Sequence, residues 1–306
     1  MKKIWITGSR GFIGKELIHY LKQNNNEIKC LTHEMKEVYT EKEGIIHVNF
    51  LSEKNINNII KKFGLPDIFI HLGWASMTDS ESNEHLKYNV DSSKNLIKKF
   101  FELGLKKFVF LGSRDEYGQR KGVLEEKMST MGRISKYAKA KKIVAEFGFQ
   151  QAKKTDRTFI HIRLFNTYGA GQKENSLINL LYKNFHSGQI VHLGPCMHYR
   201  AYIHISEVCK GIDLISKINK SVTLNLGSGK TIRLKDFVLL FWKKLGGKKE
   251  QIVFESEEIR KNDPKYPQSF ADLKKLKILT GWTPSLSLDD GILMTINMLN
   301  VQNNYK

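Results

Sequence analysis

The sequence predicts an α/β protein: a doubly wound parallel sheet with a smaller C-terminal lobe. Three observations predict it. Short apolar strands alternate with helix-period segments through the first 165 residues. A glycine-rich turn, Thr7-Gly8-Ser9-Arg10-Gly11-Phe12-Ile13-Gly14, joins the first strand to the first helix. Beyond Asn166 the alternation gives way to turn-rich stretches such as Tyr168-Gly169-Ala170-Gly171 and Gly194-Pro195.

The elements follow in order. Residues 3–7 are a short β-rich run, and 12–23 carry Ile13, Leu17 and Leu21 at helical spacing. Residues 27–31, 45–48 and 67–72 read as further strands, with a helix over 55–63 whose Ile56, Ile59, Ile60 and Phe63 share one face. A helix over 88–101, an apolar strand over 108–111, a helix over 136–152 and a strand over 159–163 complete the series. Such alternation argues for a parallel sheet covered on both faces. Right-handed crossovers make it a Rossmann-type domain. Residues 225–229 read as a strand running into a turn, 236–245 as a helix, and 280–291 as a loop leading to a last helix. Residues 1–165 thus form the sheet domain, with 199–225 returning to it, and 166–198 and 226–306 form the substrate-binding lobe. With no Pro/Gly/Ser linker between them, the lobes should pack tightly.

The chain has 306 residues, enough for a substantial core, and no internal repeat. No apolar run approaches the roughly 18–20 residues that cross a bilayer. The apolar stretch Ile4-Trp5-Ile6 behind the charged Met1-Lys2-Lys3 is too short for a signal peptide. A cytoplasmic protein with no membrane partner is expected. Cys30, Cys196 and Cys209 are far apart and lack C-x-x-C spacing, so they read as buried free thiols, with no metal site. The formal charge of +19 raises a nucleic-acid partner. The lysines, however, are scattered over several helix faces (Lys61-Lys62, Lys98-Lys99, Lys153-Lys154, Lys243-Lys244) rather than gathered in one arm. No nucleic-acid partner is expected, and the excess favours anionic small molecules.

The glycine-rich turn has a physical logic. Gly8 permits a tight turn, Gly11 lets the backbone approach a pyrophosphate, and Gly14 lets the helix pack on the sheet. The N–H groups of Phe12 and Ile13, at the helix start, then face the anion. Sheets that bind NAD usually end the second strand with an acid for the ribose hydroxyl. Here that strand reaches His33 before the first acid, Glu34. Arg10 lies where a cation reaches a 2′-phosphate, helped by His33 and Lys36. NADP(H) is therefore expected over NAD.

Tyr137 and Lys141 open a helix four residues apart, so they share one face. A cation beside a phenol lowers its pKa from about 10 toward neutrality and makes a usable proton donor. Ser113 ends the apolar strand Phe108-Val109-Phe110-Leu111-Gly112-Ser113, at the carboxyl end where active sites of such sheets lie.

These residues together resemble an extended short-chain dehydrogenase/reductase of the NAD(P)-dependent epimerase/dehydratase family, across nearly the whole chain. T-G-x-x-G-F-I-G matches residues 7–14, and Gly112-Ser113-Arg114-Asp115-Glu116-Tyr117-Gly118 resembles the strand-end S-S-x-x-x-Y-G element. The resemblance implies Ser113, Tyr137 and Lys141 as the catalytic trio. It implies that Asn89 organises the cofactor site, that Leu51, Leu72 and Gly73 line it, and that Lys141 also binds the nicotinamide ribose. Arg163-Leu164-Phe165-Asn166-Thr167-Tyr168-Gly169 matches R-x-x-N-x-Y-G, which implies that Asn166 touches a substrate diphosphate. Arg200 and Arg260, with Asp263, resemble late nucleotide-binding residues, and Asn225-Leu226-Gly227-Ser228-Gly229 resembles N-I-G-S-G.

Some positions depart. Phe50-Leu51 replaces Asp-Leu near the adenine, and Ala201 replaces a common Asp. Gly73-Trp74 replaces Ala-Ala, so Trp74 crowds the gap between nicotinamide and substrate. Arg114 follows the catalytic serine, and Asp115-Glu116 comes one position later than the acids of the dehydratases. The expected reaction is NADPH-dependent reduction of a nucleotide-linked 4-keto-6-deoxy sugar, a step in making surface-polysaccharide sugars. The alternatives are an NAD-dependent nucleotide-sugar 4-epimerase and a non-catalytic NADP-binding protein. The resemblance also implies a homodimer through helices 88–101 and 136–152.

Overall fold

The computed structural model describes residues 1–33, 40–42, 45–48, 52–255 and 268–304. The first half supplies β1 (Lys3–Thr7), α1 (Phe12–Gln23), β2 (Glu27–His33), β3 (Thr40–Lys42), β4 (Ile45–Val48), α2 (Glu53–Phe63), β5 (Ile68–His71), α3 (Tyr88–Glu102), β6 (Lys107–Ser113), β7 (Gly122–Leu124) and α4 (Lys136–Thr155). The second half begins with β8 (Thr158–Leu164), β9 (Asn166–Tyr168), α5 (Leu177–His186), β10 (Val191–Leu193), β11 (Tyr199–Arg200), β12 (Tyr202–His204), α6 (Ile205–Ser216) and β13 (Val222–Leu226). It ends with β14 (Ile232–Arg233), α7 (Leu234–Leu245), β15 (Ile252–Phe254), β16 (Ser269–Ala271), α8 (Lys274–Thr280) and α9 (Leu288–Asn304).

The main sheet runs β13-β8-β6-β5-β1-β2-β4-β3. Its strands are parallel except β3, which lies antiparallel on the β4 edge. This is the doubly wound Rossmann-type sheet that the alternation predicts. The order turns back at β1, whose neighbours are β2 and β5. The crevice for a ligand opens at that reversal, above the carboxyl ends.

Strand periodicity sorts the core by chemistry. Successive side chains point to opposite faces. Ile4, Ile6, Ile68, Ile70, Val109, Leu111, Ile160 and Ile162 face α1, α6 and α8, through Leu17, Ile212 and Leu276. Trp5, Phe69, Phe108, Phe110 and Phe159 face α2, α3 and α4, through Ile56, Phe100 and Val144. The aromatic face forms rungs. Phe69, Phe108 and Phe159 stack at 5.0 and 6.0 Å, and His71, Phe110 and His161 at 5.8 and 5.9 Å. The second rung lies one pleat closer to the carboxyl end, so His71 borders the crevice.

A second core joins α5, α7 and α9 through Leu181, Phe241, Trp242, Ile292 and Ile296. Three helices in the second half, α5, α6 and α8, escape the sequence reading. Both α5 and α6 fall where the pattern looks turn-rich. Yet α6 carries Ile205, Val208, Cys209, Ile212 and Ile215 at helical spacing, and His204 caps its N-terminus by accepting from Ser206 N–H. Both signals are legible in hindsight. The last helix begins at Leu288, inside the stretch expected to be loop. Cys30, Cys196 and Cys209 are buried and form no disulfide. Among the described residues, no helix is long and apolar enough to cross a membrane.

Candidate active site

The glycine turn forms a cradle that only glycines can build. Gly8 has φ +74°, and a Cβ there would lie 2.7 Å from the Gly73 nitrogen. A Cβ at Gly14 would overlap the Gly8 carbonyl. The turn therefore presses against both the helix start and the loop after β5, leaving backbone N–H groups bare toward the crevice. The residues present thus fit a dinucleotide diphosphate.

Behind the cradle, polar side chains fix the loop after β5. The Thr7 hydroxyl is hydrogen-bonded to His71 Nδ1 at 2.6 Å and accepts from Gly73 N–H at 3.1 Å. His71 Nε2 meets Ser93 Oγ at 2.9 Å. Burial, then the nearby Lys141 charge, push the His71 pKa down to about 3, so it is neutral at working pH. Asn89 clamps Ala75 from both sides, accepting from its N–H at 2.9 Å and donating to its carbonyl at 3.1 Å. The Trp74 indole donates to His85 Nδ1 at 3.0 Å, and His85 Nε2 donates to the Asp79 carbonyl at 2.8 Å.

A cleft of about 880 Å³ runs from this cradle along the strand ends. It brings together Gly8, Arg10, Gly11, Phe12, Ile13, Gly14, Leu72, Gly73, Trp74, Ser113, Arg114, Tyr137, Lys141 and Asn166. Asn89 lines an adjoining cavity of about 320 Å³ beside Ser9, Arg10, Leu31 and Thr32. A third, polar cavity of about 170 Å³ gathers Arg114, Asn166 and Arg200 with Tyr199 and Ser269. Arg114 is held there by Asp115 at 3.2 Å and Ser269 Oγ at 2.9 Å. Asn225 accepts from Tyr117 O–H at 2.7 Å and donates to the Leu124 carbonyl, so it braces the loop after β6. Leu51, Arg260 and Asp263, with the departure at Phe50 and the cations expected at Lys36 and the His33 side chain, lie outside the described residues.

Helix α4 positions the Tyr–Lys pair. Ser135 caps it by accepting from Ala138 N–H at 3.2 Å, and Tyr137 N–H donates to the Ser80 carbonyl at 2.9 Å. The expected pairing of charges is corrected by the structure. The Lys141 ammonium donates to the Leu111 carbonyl at 2.7 Å and lies over the Trp74 ring, 3.6 Å from its centroid. It is 5.7 Å from the Tyr137 ring centre. The Tyr137 phenol is raised rather than lowered: burial raises it, the charges of Asp115 and Glu116 add to that, and only a hydrogen bond with Ser113 opposes them. Burial also brings Lys141 down to about 7, with Glu116 opposing. Both groups resist ionisation, and burial is the first cause for each.

Four side chains here escape the sequence reading. His71 and His161 end buried aromatic rungs, and a buried polar group at a strand end signals a partner. His85 carries no pattern in the sequence. Glu116 is visible in its motif, but its burial is not.

Residues 4–227 match the model of the NAD dependent epimerase/dehydratase family. The chain is 24% identical over 296 residues to CDP-abequose synthase of Salmonella typhimurium, covering 94% of this chain and 95% of that protein. It is 26% identical over 312 residues to dTDP-4-dehydro-6-deoxyglucose reductase of Escherichia coli, covering 94% and 95%. Its fold matches a crystal structure of UDP-glucose 4-epimerase with UDP-glucose from Thermotoga maritima, with a TM-score of 0.82 at 21% identity, covering 98% and 99% of the two chains. With that family's model spanning most of its length, the chain belongs to the NAD-dependent epimerase/dehydratase family and is an NAD(P)-dependent oxidoreductase of the extended short-chain dehydrogenase/reductase type.

Proposed function

We propose that the protein reduces the 4-keto group of a nucleotide-linked 6-deoxy sugar with NADPH. One observation carries this reading: a single cleft holds the glycine cradle, Ser113, Tyr137 and Lys141, and reaches Asn166. The names of two relatives, CDP-abequose synthase and dTDP-4-dehydro-6-deoxyglucose reductase, support a deoxy-sugar substrate. Residues 1–165 with 199–225 serve the cofactor, and 166–198 with 226–306 serve the sugar nucleotide.

A bound reduced nicotinamide supplies the hydride. Tyr137 donates its proton to the sugar oxygen as negative charge grows there. A phenol that resists ionisation keeps that proton ready at every working pH, which suits reduction. Ser113 steadies the same oxygen as an oxyanion-type donor. Lys141 holds the nicotinamide ribose. Arg10 answers a 2′-phosphate, Trp74 limits how the sugar turns, and Arg114, Asn166 and Arg200 hold the nucleotide diphosphate. The enzyme works in the cytoplasm as a homodimer through α3 and α4.

The test is stoichiometry. A panel of nucleotide-linked 4-keto-6-deoxy sugars is incubated with the protein and NADPH. One NADPH should be oxidised per sugar reduced. Interconversion of C4 epimers without added cofactor, by protein that carries NAD through purification, would overturn the reading in favour of an epimerase.

A further inference from the structure

Glu116 is a fully buried carboxylate that stands outside the trio and does not line the cleft. Oε1 accepts from Ser113 N–H at 2.8 Å and from His161 Nε2 at 3.1 Å, and Oε2 accepts from Arg163 Nε at 3.3 Å. Room for this cluster is built into the strand end, because a Cβ on Gly112 would overlap both His161 and Glu116. Two residues back along β6, the Leu111 carbonyl receives the Lys141 ammonium. One strand end therefore binds a buried anion through Ser113 N–H and a buried cation through Leu111 C=O.

We infer that Glu116 is a positioning residue that anchors Ser113 and supplies the fixed counter-charge to the Lys141 ammonium. A buried lysine with no anion nearby gives up its proton. Lys141 is fully buried, and the anion that favours its charged form is Glu116. Burial by itself would raise the Glu116 carboxyl, but His161, Arg163 and the Ser113 N–H together hold it below the usual carboxylate range, so it is ionised at working pH. The other polar groups around the pair are His71 on β5, neutral, His85 before α3, Asp115 beside Glu116, and Tyr137 on α4 itself. Glu116 is thereby distinct from a substrate-facing acid: it acts through Ser113 and Lys141.

The inference rests on the oxidoreductase reading for its relevance to turnover, so its test does not depend on activity. Lysine side-chain carbons are labelled, and their NMR signals are followed from pH 5 to 10. The lysine with the lowest midpoint, near neutrality and below Lys107 at about 8, should be missing in Lys141→Met. In Glu116→Gln its midpoint should fall by about one pH unit. In Glu116→Asp, which keeps the charge, it should stay close to wild type. In Arg163→Gln it should rise, because the anion loses a neutralising cation. Where substrate is in hand, the high-pH limb of kcat should move the same way in each variant. An unmoved midpoint in Glu116→Gln, or shifts of one sign in both Glu116→Gln and Arg163→Gln, overturns the inference. Should Glu116→Gln not fold, the upward shift in Arg163→Gln decides alone. A Tyr137→Phe protein that keeps full turnover would sink the catalytic reading and leave this titration untouched.

Discussion

At the scale of residues, the catalytic pair sits at the cleft wall with its polar groups largely shielded from water. Tyr137, Lys141 and His71 all hold their neutral forms more tightly than in water, because burial penalises charge. Helical spacing puts Tyr137 and Lys141 on one face, the apolar run before Ser113 puts it at a strand end, and the structure brings all three to one cleft. Their protonation was not legible in the sequence, because it depends on which atoms surround them: Leu111, Trp74 and Glu116 come from distant points in the chain. In the proposed function, Arg10 is the residue that separates the two cofactors. It lies beside Ser9, Leu31 and Thr32, where the second strand ends without an acid. Arg10→Ala should weaken NADPH binding by about 10-fold or more, as expected for a lost charged hydrogen bond of about 1.5–3 kcal/mol, and leave NADH binding nearly unchanged. Fluorescence titration with each cofactor checks this. Equal losses for both would contradict the assignment.

At the scale of elements, packing decides where small residues must stand. Gly148 lies inside α4, where glycine costs about 0.5–1 kcal/mol against alanine. A Cβ there would overlap the Phe159 ring, which is stacked into the aromatic rung under the helix. Overpacking of that kind costs about 1–3 kcal/mol, so the clash outweighs the propensity gain. Gly148→Ala should therefore destabilise the protein, seen as a lower urea midpoint with an unchanged slope; a higher midpoint would show that the rung gives way freely. The same competition explains what the sequence concealed. β1, β5, β6 and β8 are short and apolar, so they announce themselves as buried strands. Helices α5 and α6 are flanked by turns, and their regular spacing is overshadowed by the glycines around them. β13 lies earlier than its motif suggests, because Val222 and Leu224 pair with β8 before the Asn225 turn chemistry begins.

At the scale of the whole molecule, buried titratable groups set a window of stability. His71 and His204 have folded pKa values lowered to about 3 and 4, mainly by burial. Lowered histidines contribute stability that is present above the unfolded value near 6.5 and is lost as pH falls through the folded values. Lys141 and Lys107 are lowered to about 7 and 8, first by burial. Between those values and 10.5 the unfolded chain binds more protons, so stability rises with pH, by at most about 1.4 kcal/mol per unit for each group. Tyr137, Tyr168 and Tyr202 are raised by burial, and stability falls again as pH climbs above 10. The melting temperature should thus be higher at pH 9 than at pH 7, and lower at pH 5 than at either. A maximum near pH 6 would contradict that balance. In the proposed reaction the molecule as a whole serves one event, the passage of a proton from Tyr137 to a sugar oxygen as hydride arrives. The direct measurement is the rate of NADPH oxidation by Tyr137→Phe with the sugar nucleotide that the wild-type protein turns over. The account predicts a fall of about 10²–10⁴-fold, with NADPH binding kept. A variant that retains wild-type turnover would contradict it.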